Sequence, residues 1–227
     1  MENMQAGNSE QLLTKKQLDN RYKYIIEFLQ GATGDVLIIG SGDGSLERRL
    51  LCTNYDLYVT SLDINECFRE NLDFYSETVI IDDFLKHNFR GEKFDYIIST
   101  ETIEHVNETS KFLLKMQVLL RDENSICMLQ TPNLASWHSR LCLLFGYMPE
   151  ALECSERVGN FGKIKYLFRQ DRANHIRVFT YGALCEAVKY SDFTIEKAYG
   201  VDIRIPFIFK YLPSIAGAIH LRMKRGK

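Results

Sequence analysis

Three glycines at alternate positions, Gly40, Gly42 and Gly44, follow the apolar run Asp35-Val-Leu-Ile-Ile39. A bend bare of side chains lets a ligand come very close to the main chain. A helix restarting at Ser45 then aims its free N–H groups and positive end at that ligand. The spacing is GxGxG. The dinucleotide fingerprint needs glycine at position 45, where Ser45 stands, which argues against a typical NAD or FAD turn. Asp63 ends the next apolar run, where a carboxylate accepts hydrogen bonds from both hydroxyls of a ribose, strengthened by its charge. Asp82-Asp83-Phe84 ends a third run; a carboxylate there accepts from an exocyclic adenine amine while the ring of Phe84 packs on the base. Taken singly, each signal has a plainer reading: a structural loop, a helix cap, a solvated turn. Together they place acids and glycines at the ends of three successive strands, where ligands of open α/β sheets bind.

The elements that must position these residues are legible from periodicity. Leu18 to Gln30 carries apolar residues at helical spacing and is stopped by Gly31 and Gly34. Strands are expected over 35–39, 56–62, 78–81, 94–98 and 125–130, with helices over 45–51 and 110–121 between them. This alternation predicts an α/β fold with a parallel sheet covered by helices on both faces. Beyond it, residues 134–145 read as helical, 146–176 as polar and irregular, 181–190 as a helix, and 193–199 and 219–224 as strands. The division expected is a flexible polar lead-in at 1–17 and one domain over 18–227, with a substrate-side cap or insertion at about 134–180.

The chain has 227 residues, 45% hydrophobic and 26% charged, enough apolar material for one substantial core. A net charge of −2 supplies no basic field, so a nucleic-acid partner is not expected. The six cysteines, Cys52, Cys67, Cys127, Cys142, Cys154 and Cys185, form no CxxC pair and no metal-ligand spacing; they read as buried reduced thiols, and no metal is expected. The first residues lack the apolar centre of a signal peptide, and no apolar run approaches the length of a membrane span. The cytoplasm is the expected compartment.

The chain resembles the class I S-adenosylmethionine-dependent methyltransferase family, and more narrowly its small-molecule and glycan branch, which includes the ubiquinone-biosynthesis O-methyltransferases. The residues that carry the resemblance are Val36–Gly44, Asp63, Asp83-Phe84, Glu101-Thr-Ile-Glu-His105-Val, the Thr131-Pro-Asn-Leu134 turn and His175-Ile-Arg-Val-Phe-Thr180, over roughly residues 18–200. The resemblance implies a Rossmann-like, seven-stranded, mostly parallel sheet whose last strand runs antiparallel, with S-adenosyl-L-methionine as cofactor. It further implies that Gly40, Ser41 and Gly42 pass under the methionine part, Asp63 holds the ribose, and Ile64 packs on the adenine. Asp83 and Phe84 contact the adenine, and Thr100 and Glu101 flank the sulfonium. Arg21 and Tyr22 are candidates for the methionine carboxylate. Ile38 departs from the family pattern, which commonly has an acidic residue there.

A sulfonium methyl is already activated, so such an enzyme mainly aligns a nucleophile with it. For an alcohol or phenol a general base helps, and imidazole suits that task. His105 is the first candidate, with His175 and His138 from the variable region behind it. The acceptor expected is a small molecule or sugar, with the protein a monomer or homodimer. Residues 146–176, with Tyr147, Phe161, Tyr166 and Phe168, suit a lid. Pro206–Pro213, followed by the basic Lys224-Arg225-Gly-Lys227, offers peripheral contact with a membrane surface. Two competing readings are an aminopropyltransferase, since those enzymes favour an apolar residue at Ile38, and a non-catalytic scaffold on a worn methyltransferase fold.

Overall fold

The short apolar runs become strands because both their faces are covered. In the strand Gly34–Ile39 (β1), Val36, Leu37, Ile38 and Ile39 are all buried, which only a central position in a sheet allows. A computed structural model describes residues 15–54, 56–155, 158–159, 161–164, 174–202 and 206–226. Most of the expected lead-in, Tyr166 and Phe168 of the expected lid, and Lys227 lie outside these. In chain order the remaining elements are α1 (Lys15–Leu29), α2 (Ser45–Thr53), β2 (Leu57–Asp63), α3 (Arg69–Tyr75), β3 (Thr78–Ile81), β4 (Tyr96–Thr100) and α4 (Thr109–Leu119). They continue with β5 (Ile126–Pro132), α5 (Trp137–Leu144), α6 (Tyr181–Tyr190), β6 (Phe193–Val201), α7 (Pro206–Phe209) and β7 (Ala218–Arg225).

The strands form one seven-stranded sheet in the order β3-β2-β1-β4-β5-β7-β6, with β7 antiparallel to both its neighbours and the rest parallel. The chain winds outward from β1 to β3, then crosses back to lay β4 on the other side of β1. That reversal leaves a crevice beyond the carboxyl ends of β1 and β4, the usual seat of a ligand in such sheets. One face carries Val36, Ile38, Ile98 and Met128 against Tyr22, Ile25 and Leu29 of α1 and Leu46 and Leu50 of α2. The other carries Leu37, Ile39, Ile97 and Leu129 against Phe112, Leu113 and Met116 of α4 and Leu184 and Val188 of α6.

Several sequence expectations need correction. The first helix starts at Lys15, inside the span expected to be a lead-in. The fourth strand begins at Tyr96, not Phe94. Asp95 there is drawn into a junction, its carboxylate accepting the Asp35 N–H (2.8 Å) and pairing with Arg121 (2.9 Å), and Phe94 makes only an isolated bridge to Leu120. Helices α3 and α7 were not foreseen; α3 buries only Leu72, so its sequence shows no apolar stripe. Cys127 and Cys142 are buried as expected, but Cys52, Cys67 and Cys154 are exposed. The apolar and basic parts of the C-terminal segment do not form one surface. Strand β7 carries Lys224 and Arg225 to the far end of the sheet, where Lys224 pairs with Glu196 (2.8 Å) and Arg225 donates to the Gln117 and Leu120 carbonyls.

Candidate functional site

Gly40, Gly42 and Gly44 all adopt left-handed backbone (φ 75°, 55° and 75°), a region that penalises any side chain. Their surroundings differ. A Cβ on Gly40 would meet the Thr102 hydroxyl at 2.1 Å, whereas a Cβ on Gly42 would meet nothing within 4 Å. Gly40 therefore packs the turn against the end of β4, and Gly42 faces open space. The turn is tied to β2 by Gly40 and Ser41 N–H groups donating to the Leu62 carbonyl (2.8 and 3.2 Å) and by Gly42 N–H donating to Asp63 Oδ2 (2.8 Å).

Asp63 is buried and its other oxygen accepts from Asn65 N–H (2.8 Å). Two backbone donors fix the carboxylate, and each oxygen keeps a further lone pair for a ribose hydroxyl. Next to it, Ile64 is 73% exposed, an apolar side chain at the crevice with room for a flat ring. Glu47 of α2 lies behind the turn, fully buried, accepting from Ser61 Oγ (2.8 Å) with its charge disfavoured by burial. Ile38 is meanwhile plain core on the α1 face. A carboxyl absent at position 38 thus reappears on the helix, which the sequence pattern did not reveal.

After β3 the chain turns tightly. Asp83 Oδ1 accepts Leu85 N–H (2.9 Å), its Oδ2 pairs with Lys86 (3.3 Å), and Asp82 Oδ2 meets His87 Nδ1 (3.0 Å). Phe84 is a correction. It is buried among Phe89 and Phe112 with Lys115 over its ring (5.1 Å), because the turn swings it under α4. Its ring supports the core instead of lying on a base; the Asp83 carboxylate remains at the turn.

Beyond β4, Thr100 is followed by Glu101, which holds a left-handed conformation (φ 55°) unusual for a residue with a side chain and of the kind kept at functional sites. Thr102 donates its hydroxyl to the carbonyls of Ile39 and Thr100 (3.1 and 3.0 Å), locking this corner to the glycine turn. A short turn, Ile103–His105, then buries Glu104. Glu104 Oε2 accepts from Thr131 Oγ1 of β5 (2.8 Å), while its Oε1 has no hydrogen-bond partner. Burial, reinforced by the charge of Glu101, pushes the Glu104 carboxyl up to about 8.

The segment 174–177 crosses over this turn, with Ile176 and Arg177 N–H groups donating to the Glu104 carbonyl (2.8 and 2.9 Å). It brings His175 Nε2 to 4.0 Å from Glu104 Oε1 and its ring to 5.1 Å from that of His105. Burial lowers the His105 pKa, opposed by its contact with the Asn174 carbonyl, so this imidazole is neutral at pH 7. Glu104, His105 and His175 each offer one ligand atom, all within 4.8 Å of one another, so they could hold a metal ion. That group was missed because no short-range pattern links residues 104–105 to 175. His138 does not join it: it sits at the start of α5 with Nε2 at 3.1 Å from Ser136 Oγ and its ring against Trp137. Gln130, opposite Thr100 in the β4–β5 register, is also buried with neither amide atom hydrogen-bonded, a second residue the sequence did not single out. The expected partners Arg21 and Tyr22 lie on α1; Tyr22 is buried, which raises its pKa, and the charge of Arg21 partly offsets the upward push of burial on Glu104.

The sequence profile of a family described as a methyltransferase domain matches residues 14–198. No curated protein sequence matches the chain. Among solved structures, an S-adenosylmethionine-dependent methyltransferase from Clostridium acetobutylicum is 13% identical with a TM-score of 0.64, covering 96% of this chain and 94% of that one. The CcbJ methyltransferase from Streptomyces caelestis is 12% identical with a TM-score of 0.64, covering 92% and 90%. A Burkholderia thailandensis 1,6-didemethyltoxoflavin-N1-methyltransferase, solved with its acceptor and S-adenosylhomocysteine bound, is 14% identical with a TM-score of 0.57, covering 94% and 78%. At these identities the likeness is one of fold.

Proposed function

Because the chain belongs to the class I S-adenosylmethionine-dependent methyltransferases, we propose that it methylates an oxygen of a small molecule or sugar held beside Glu104, His105 and His175. The observation that carries this reading is a buried acid, Glu104, fixed directly after β4 beside the exposed His105 and the half-buried His175 and joined through Thr102 to the glycine turn. An amine or a carboxylate acceptor has little need of a base, whereas a hydroxyl must lose a proton as it is methylated.

When bound, the cofactor supplies a methyl group activated by a sulfonium. The chain's residues do the rest. Asp63 accepts from the ribose hydroxyls while Gly42 leaves room above the turn, and Ile64 gives the adenine an apolar floor. Asp83 accepts from the exocyclic amine. Thr100 and Glu101 border the sulfur, and Glu101 keeps negative charge near the positive centre. His105, neutral at pH 7, takes the hydroxyl proton, with His175 beside it. The aminopropyltransferase reading loses ground to the family match, and the scaffold reading is opposed by the intact Gly40, Gly42, Asp63 and Asp83.

Tritium transfer from labelled cofactor to a panel of phenols, diols and sugars, set against primary amines, tests the proposal. Label appearing in an ether is expected; label found only in amines would sink it. A second reading, that the acceptor is lipid-borne, is favoured by exposed Leu143, Leu144 and Phe145 at the end of α5 and Ile208 and Tyr211 in the C-terminal segment. The two segments are joined by Trp137 N–H donating to the Ile215 carbonyl (2.8 Å) and by Trp137 stacking on Phe209. Sedimentation with anionic vesicles, reduced by Phe145→Ser, is its expected signature.

A further inference from the structure

We infer that Glu104, His105 and His175 form a binding site for one divalent transition-metal ion. The inference rests on the proposed function, because it places the cation where the acceptor oxygen is held.

Two imidazoles and one carboxylate make the donor set of a three-ligand catalytic site, which leaves a position open for water or substrate. The ligand atoms lie within 4.8 Å of one another. Bonds near 2.0–2.1 Å in a tetrahedral site put ligand atoms about 3.3 Å apart, so small side-chain rotations close the set.

The outer partners are already in place. His105 Nδ1 lies 3.1 Å from the Asn174 carbonyl, and His175 Nδ1 lies 3.0 Å from the Ala151 carbonyl. A carbonyl only accepts, so each Nδ1 carries the proton and each Nε2 keeps its lone pair. Metal-bound histidines are oriented in this way, by a backbone carbonyl on the other ring nitrogen. On the carboxylate, Thr131 holds Oε2, leaving Oε1 as the ligand atom. Glu104 is 1% exposed, and Oε1 has no hydrogen-bond partner although it points at His175. A buried carboxyl oxygen without a partner is costly, and a cation coordinated there removes that cost.

Imidazole donors favour zinc, cobalt, nickel or iron over magnesium, calcium or manganese. With a cation held there, both imidazoles act as ligands, and the proton role given to His105 passes to the metal. The ion polarises the acceptor O–H, whose proton leaves to solvent; the O–C bond forms as the C–S bond breaks, and the sulfur departs as a neutral thioether.

The test is cobalt(II) titration of the full chain after chelator treatment, followed by visible absorption and by calorimetry, and repeated with zinc(II). One equivalent with a d–d band is expected. Glu104→Gln and His175→Ala should each weaken it 100-fold or more, and Thr131→Val about tenfold. His87→Ala, whose imidazole pairs with Asp82, should leave it unchanged. Circular dichroism and S-adenosylhomocysteine binding on each variant show that it is folded. Absence of a stoichiometric cobalt band in a wild-type chain that binds S-adenosylhomocysteine overturns the metal site alone, as do equal affinities across the variants. Cobalt binding without S-adenosylhomocysteine binding supports the site and counts against the proposed function.

Discussion

The two halves of the crevice are built on different terms. The β1–β3 half is shaped by backbone: a glycine turn, one acid fixed by two N–H groups, and a turn after β3, all assembled from neighbouring strands. The β4–β5 half is built from side chains. Glu104, Gln130 and His220 are buried there with atoms left unbonded, and the His105 ring reaches a carbonyl 69 residues away. In the first half the groups at the crevice are fixed by backbone donors, and only behind the turn does Glu47 keep an oxygen without a partner; in the second, several buried atoms lack one. On the function proposed above, the cofactor takes the former and the acceptor the latter.

The sharpest way to break this contrast is Gly40→Val. With a left-handed backbone and the Thr102 hydroxyl 2.1 Å from any Cβ, S-adenosylhomocysteine affinity by calorimetry should fall by roughly 100-fold or more. Binding close to wild type would mean that the turn is not the cofactor's seat. Glu104→Gln tests the opposite half: turnover should drop by about 100-fold while S-adenosylhomocysteine affinity stays within about threefold. A parallel loss of both would erase the division. Asp63→Asn keeps the shape but removes the charge, so affinity should weaken about tenfold with kcat nearly unchanged.

The unsatisfied half should also show itself in acid. Burial pushes His220 down to about 3, against an ordinary 6.5. Between those values the unfolded chain binds a proton that the folded chain refuses. Stability is therefore full above pH 6.5 and declines as pH falls toward 3, on the order of 1 kcal/mol per pH unit. Urea midpoints at pH 7 and pH 5 should converge in His220→Gln relative to wild type. The smallest effect is expected for His138→Ala, whose turnover should change by less than about twofold, since its ring belongs to the start of α5.

Legibility in the sequence followed the same division. Strands buried on both faces announce themselves as apolar runs, and Gly40, Gly42 and Asp63 lie in one backbone neighbourhood, so spacing alone brings them together at the ends of β1 and β2. Phe84 was misplaced because an aromatic after an acid reads alike whether it stacks on a ligand or drops under α4; only the turn at Asp83 decides. Glu104 was quoted in its motif but given no role, because its partners, Thr131 and His175, come from elements that only the fold brings together. Helix α3 escaped notice for want of an apolar face.

Strand β7 comes last of the elements yet lies between β5 and β6. While the chain is being synthesised, β5 stands with one open flank and β6 has no strand beside it until Ala218–Arg225 clears the ribosome. The nascent protein therefore has half a platform ready early and a late keystone. A nonsense codon that removes only this strand should yield aggregate, not a weakened enzyme.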